Sequence, residues 1–252
     1  MARSPRGLIL AAGRGSRMGA ATTDQPKCRT ELHGRSLLDW QLGAMREAGI
    51  EDIGVVRGYL AQSFDLPLTY FDNPRWSETN MVMSLMCAAP WLRDGPCIVS
   101  YSDIVYKAAT VRMLINSTAN IAITYDPDWF SLWQFRFEDP LADAESFRIE
   151  GDRVMEIGAK SASVSDIEGQ FMGLLRFTPA GWSDVEKYVG SLTPAMRDRL
   201  DMTGLLRKLI AEDTYVTGIA IKEPWCEVDT VLDLERYRAA PMWNWKHSSD
   251  SC

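Results

Sequence analysis

A chain of 252 residues with 46% hydrophobic and 24% charged side chains is long enough to bury a large α/β core and too apolar to be disordered. Its net charge of −7 argues against a nucleic-acid partner, which needs a basic face. Five scattered cysteines without a C-x-x-C pair, beside only two histidines, exclude a zinc site, and free thiols fit a reducing cytoplasm.

The chain opens on an apolar run, 8–12, that reads as a buried strand. The run is shorter than the roughly 7–15 residues of a signal-peptide core, and no segment approaches the ~18 apolar residues of a membrane span. A cytoplasmic protein without a membrane partner is expected. The strand stops at Gly13-Arg14-Gly15, with Arg17 and Lys27 close behind. Glycines let the backbone approach a ligand with its N–H groups exposed, and successive N–H groups form an anion-binding concavity. Three cations in the same loop make it a holder of phosphates. Two known phosphate loops are excluded: Met18 stands where the dinucleotide fingerprint needs a third glycine, and the chain lacks the Gly-Lys-Ser/Thr of a P-loop.

Ser36 is the N-cap of a helix ending near Gly49, with apolar positions at three- and four-residue spacing. Residues 52–56 form the second strand. Strand, loop, helix and strand then make a right-handed crossover that leaves the glycine loop at a carboxyl edge, where open α/β sheets bind ligands. Residues 68–71 are the third strand, and Asn80 caps a helix through Ala89, a role weighed evenly against contact with a bound phosphate. Residues 97–101 are the fourth strand, with Asp103 just past its end, and 120–125 the fifth. The aromatic-rich stretch 126–143 reads as irregular. Alternation over 145–157 around Glu150-Gly151-Asp152 is a hairpin signal. A strand over 170–177, helices over 180–189 and from Asp201 to Ile210, a strand over 215–221 and a last helix over 231–237 complete the order. A single domain, 1–240, is expected, with an acceptor-binding portion near 125–180. A loose tail, 241–252, carries Trp243 and Trp245, which could dock on a partner.

The pattern L-A-A-G-x-G-x-R-M followed by P-K resembles the signature of the nucleotidyltransferases that activate phosphorylated sugars and alcohols. Within them, Asn73, Asn80, Ser84-Leu85 and Trp225-Cys226-Glu227-Val228-Asp229 look closest to the phosphocholine cytidylyltransferase group. The resemblance implies a Rossmann-like three-layer α/β/α fold with a central mixed, mostly parallel sheet and an inserted hairpin or lid region. It implies CTP as nucleotide, Arg17 and Lys27 as contacts to the triphosphate and α-phosphate, and Leu10, Ala11, Ala12, Gly13, Arg14, Gly15, Asn80 and Ser84 around the nucleotide.

Joining a nucleoside triphosphate to a phosphorylated acceptor crowds negative charge into one place, so catalysis rests on positioning and neutralisation. Carboxylates that hold Mg²⁺ suit such a site. Asp103 and Asp229 fill the two positions where the family places them, although an Asp before a helix is commonly a cap. Around the acceptor, the resemblance and the local chemistry point to Lys160, Gly173, Trp133, Glu145 and Glu227. An aromatic cage near Trp129 and Trp133 would suit a quaternary amine. Sugar-activating members carry a Glu-Lys pair where this chain has Gly158-Ala159-Lys160, which favours a smaller phosphate or phosphonate ester. The expected activity is a Mg²⁺-dependent cytidylyltransferase acting on CTP (or another NTP) and a phosphocholine- or 2-aminoethylphosphonate-like acceptor. The alternatives are a sugar 1-phosphate nucleotidyltransferase and a non-catalytic nucleotide-binding protein. A homodimer is left open.

Overall fold

The structure is a computed structural model that describes residues 3–244. In chain order its elements are β1 (Arg6–Ala11), α1 (Leu37–Glu47), β2 (Ile53–Arg57), β3 (Thr69–Asp72), α2 (Met81–Met86), α3 (Ala89–Asp94), β4 (Cys97–Tyr101), α4 (Ala108–Asn116) and β5 (Ile121–Asp126). They continue as α5 (Trp129–Arg136), β6 (Glu145–Glu150), β7 (Arg153–Lys160), β8 (Gln170–Phe177), α6 (Pro179–Ser191), α7 (Pro194–Arg199), α8 (Met202–Ala211), β9 (Val216–Ala220) and α9 (Val231–Ala239).

These strands form one sheet in the order β3-β2-β1-β4-β8-β5-β9-β7-β6. Strands β3, β2, β1 and β4 are parallel, β8 is antiparallel to both β4 and β5, β9 is parallel to β5, and the β6–β7 hairpin extends the edge beyond β9. The sheet is therefore mixed but mostly parallel, and its central strands are continuous apolar runs because both faces are covered. A Cβ on Gly7 would meet Met45 Sδ of α1 at 2.6 Å, whereas one on Gly54 would meet the Trp91 ring of α3 at 3.0 Å. Gly54 follows Ile53, the register partner of Gly7, and side chains alternate along a strand, so α1 and α3 lie on opposite faces. This is the three-layer α/β/α arrangement.

Strands 97–101 and 170–177 and the Ser36 cap, whose hydroxyl accepts from the Asp39 amide, stand as the sequence predicts. Three stretches differ. The helix begun at Asn80 ends at Met86, and a second one starts at Ala89. Pro90 explains the break, because it lacks an N–H and its ring clashes with the carbonyl four residues back, while it is welcome in a first turn. Much of 126–143 is helical as α5, and α7 precedes α8 without having been foreseen. Trp243 meets Trp40 of its own chain edge-on at 5.7 Å. The tail from residue 245 onward, including Trp245, lies outside the described residues.

Candidate active site

The loop after β1 is held open by its neighbours. The Tyr59 amide donates to the Ala12 carbonyl at 2.9 Å, and the Gly15 carbonyl accepts from the Met18 amide at 3.0 Å and the Thr22 hydroxyl at 3.2 Å. Gly15 has φ +67°, and a Cβ there would sit 2.8 Å from Lys27 Cδ and 2.9 Å from Lys27 Cβ. Glycine at this position therefore serves both the left-handed backbone and the passage of the Lys27 stem beneath it.

Two distant aspartates are brought together by a short antiparallel clip, Ile104–Val105 against Cys226–Glu227. The Val228 amide donates to the Asp103 carbonyl at 2.8 Å. Buried Gln41 of α1 fixes the other side, its Nε2 donating to the carbonyls of Tyr101 at 2.7 Å and Ile104 at 2.6 Å. Asp229 does not cap α9. Thr230 does so in a capping box with Asp233, which leaves the Asp229 carboxylate free to face the loop.

The two carboxylates meet at Lys27, which is buried. Its Nζ donates to Asp103 Oδ2 at 2.8 Å and to Asp229 Oδ1 at 2.6 Å, and Arg17 ion-pairs with the other Asp229 oxygen. Burial by itself would lower the Lys27 pKa, but the charges and hydrogen bonds of Asp103 and Asp229 outweigh it and hold the ammonium above its ordinary value. Asp103 Oδ1 is buried without a hydrogen-bond partner among the described residues. An orphaned carboxylate oxygen beside a second carboxylate fits a divalent cation. No cluster of three metal-binding side chains occurs among the described residues. Water and phosphate would have to complete the shell, which is how Mg²⁺ is commonly held.

Two cavities, each of about 290 Å³, flank this centre and share Arg17, Met81, Tyr101 and Asp229 as common walls. The first runs over the glycine loop and is lined by Leu10, Ala12, Gly13, Gly15 and Lys27, with Asn80 and Ser84 opposite. Asn80 also accepts from the Met81 amide at 2.8 Å, so capping and lining coincide, and Ser84 Oγ accepts from buried Asn73 at 3.0 Å. Ala11 is buried in β1, and Arg14 lies outside the cavity with its guanidinium 5.7 Å from the Tyr59 ring.

The second cavity holds Trp133, Glu145 and Glu227, together with Asp143, Asp201 and Thr203. Burial and then the nearby Asp201 and Asp143 raise the Glu145 pKa, against a hydrogen bond from Thr203. Burial likewise pushes Glu227 up to about 7, against the opposing charge of Arg136 and with added repulsion from Asp103 and Asp229. Gly173 is not part of the wall. With φ +81° and a notional Cβ 2.7 Å from the Tyr101 ring, it lets Tyr101 pack closely and line the cavity instead. Lys160 ends β7 exposed and outside both cavities, although its register partner Glu145 on the outermost strand lines the second one. The Trp133 ring packs against Trp129 at 5.9 Å and Trp225 at 6.2 Å and carries the Arg136 guanidinium at 5.3 Å, so the cation over this ring is one of the protein's own. Sequence reasoning missed Arg136, Asp201 and Thr203 at this site. Asp201 was legible only as the cap of α8, a role it also fills, accepting from the Gly204 amide at 2.7 Å.

Residues 7–145 match the MobA-like NTP transferase domain. The chain is 34% identical over 245 residues to the CTP:phosphoglutamine cytidylyltransferase of Campylobacter jejuni, an alignment spanning 90% of this chain and 97% of that protein. The choline-phosphate cytidylyltransferase of Streptococcus pneumoniae is 25% identical over 153 residues, 57% of this chain and 66% of that one. In fold, the CTP:phosphocholine cytidylyltransferase of S. pneumoniae superposes with a TM-score of 0.71 at 20% identity, covering 94% of this chain and 99% of that one. The matched family and the relative that aligns along nearly its whole length agree with the loop and carboxylate geometry: the chain is a nucleotidyltransferase of the MobA-like NTP transferase domain family.

Proposed function

We propose that the protein transfers a cytidylyl group from CTP to the phosphate or phosphonate of a small amine-bearing acceptor, in the presence of Mg²⁺. The observation that carries this reading is the convergence of Lys27, Asp103 and Asp229 at the junction of two cavities, one over the glycine loop and one lined by carboxylates. The nucleotide is read from the relatives above, which are named for CTP.

An oxygen of the acceptor's phosphate attacks the α-phosphorus of CTP. A new P–O bond forms while the α–β bridging bond breaks, and its electron pair leaves with pyrophosphate. Lys27 faces the α-phosphate and neutralises charge that builds there, and Arg17 draws on the β- and γ-phosphates. The backbone of Gly13 and Gly15 lies under the nucleotide. Asp103 and Asp229 would hold Mg²⁺, which supplies further neutralisation of the triphosphate when bound. In the second cavity Glu145, Asp201 and Glu227 face the acceptor's ammonium, relieving their mutual repulsion. The described cysteines are free thiols, and we place the reaction in the cytoplasm on that ground.

The test is pyrophosphate release from CTP, ATP, GTP and dTTP against a panel of phosphorylated amines, amino acids and sugar 1-phosphates. Release confined to CTP with an amine-bearing acceptor supports the reading. Preference for a sugar 1-phosphate overturns it.

A further inference from the structure

Arg136, at the end of α5, is buried, and its guanidinium lies between the Trp133 and Phe137 rings at 5.3 and 4.8 Å. Its fork serves two carboxylates. One terminal nitrogen donates to Glu227 Oε2 at 2.6 Å, while Nε and the other terminal nitrogen donate to the two Asp233 oxygens at 3.1 and 3.4 Å. Asp233 in turn accepts from the Asp229 amide at 3.1 Å, the Thr230 amide at 2.9 Å and the Thr230 hydroxyl at 3.0 Å. The same cation thus fixes a wall of the acceptor cavity and the backbone from which Asp229 projects. The contact is locked from α9 as well, since Arg236 donates to the carbonyls of Phe135, at 3.0 Å, and Arg136.

We propose that Arg136 is a positioning residue that couples the acceptor cavity to the phosphate centre, holding Glu227 directly and Asp229 through Asp233. It touches neither substrate. This rests on the function proposed above. Arginine suits the role because a planar fork can bind two carboxylates at once, whereas a lysine ammonium is a single point charge. Groups that orient a metal-holding carboxylate from behind commonly change metal affinity or activity by about 10–100-fold when altered.

The test is Arg136→Lys, which retains the charge and loses the fork. CTP binding is followed by calorimetry across a Mg²⁺ titration, a readout that needs no acceptor. The expected result is unchanged affinity for CTP without Mg²⁺, about a tenfold rise in the Mg²⁺ concentration that half-saturates its enhancement, and a raised KM for the acceptor. Asp233→Asn, which keeps an oxygen to cap α9 and gives up the charge facing Arg136, is expected to reproduce the Mg²⁺ effect and covers the case in which Arg136→Lys does not fold. Wild-type Mg²⁺ dependence in a folded variant overturns the positioning role. Wild-type protein titrated in parallel reads the functional assignment separately, because that assignment fails if CTP binds no better than other nucleotides.

Discussion

The Val228 amide donates to the Asp103 carbonyl at 2.8 Å, and this bond beside the two-residue clip is what sets Asp229 next to Asp103. Without ligands, two carboxylates so placed repel one another. Lys27 sits between them and offsets that repulsion, so the ammonium proposed to face the α-phosphate also holds the two carboxylates together.

Lys27→Ala is therefore expected to act twice. Turnover falls by about 10²–10³ through loss of a charge-stabilising donor. Stability falls by up to about 3 kcal/mol, because the carboxylates lose their shared buried partner while Arg17 still engages Asp229. Mg²⁺ should raise the melting temperature of the variant more than that of the wild type. Equal responses to Mg²⁺ in the two proteins would show that the carboxylates do not hold the cation.

The two loop glycines should behave differently. Gly15→Ala places a Cβ against the Lys27 stem at a left-handed φ, and is expected to lose about 2 kcal/mol in urea unfolding. A Cβ on Gly13 meets nothing within 4 Å, so Gly13→Ala should change stability by less than ~0.5 kcal/mol.

Glu145→Gln removes a charge from the second cavity, proposed to take the acceptor, and none from the group of Lys27, Asp103 and Asp229. The KM for an amine-bearing acceptor should rise about tenfold, with the KM for CTP held, since a hydrogen bond to a charged group contributes about 1.5–3 kcal/mol. A parallel rise in both constants would place Glu145 elsewhere in the mechanism.

Burial pushes the thiols of Cys28 and Cys97 up to about 12. Both stay protonated and unreactive at neutral pH, so alkylation mapped by mass spectrometry should spare them until the protein unfolds. The folded state keeps these protons after the unfolded chain has released them, so stability falls as pH climbs from about 9 towards 12. A flat stability profile over that window contradicts the burial of these thiols.

Much of the architecture was legible because its signals are local. The run before Gly13, the Ser36 cap and the alternation around Gly151 each announce an element within a few residues. What escaped is tertiary in origin. Helix α5 buries Trp129, Leu132, Trp133 and Arg136 along one face, but a charged residue closes that stripe and the partly buried Phe130 and Phe135 lie off it, so the amphipathic pattern is blurred in the sequence. The clip at Ile104–Val105 is two residues long and exists only because its partner lies at the far end of the chain. Asp229 carries the sequence mark of a cap, and only the capping box of Thr230 with Asp233 shows that its carboxylate is free for another purpose. Lys160 shows the reverse case, a cation at a plausible position in sequence that lies exposed and outside both cavities.

Asp103 offers the sharpest test, because its Oδ1 has no hydrogen-bond partner among the described residues. The measurement is Mg²⁺-dependent pyrophosphate release from CTP by Asp103→Asn, with near-ultraviolet circular dichroism as the check on folding. The expected result is a folded protein whose turnover is lower by about 10³. A folded variant that releases pyrophosphate at the wild-type rate contradicts it.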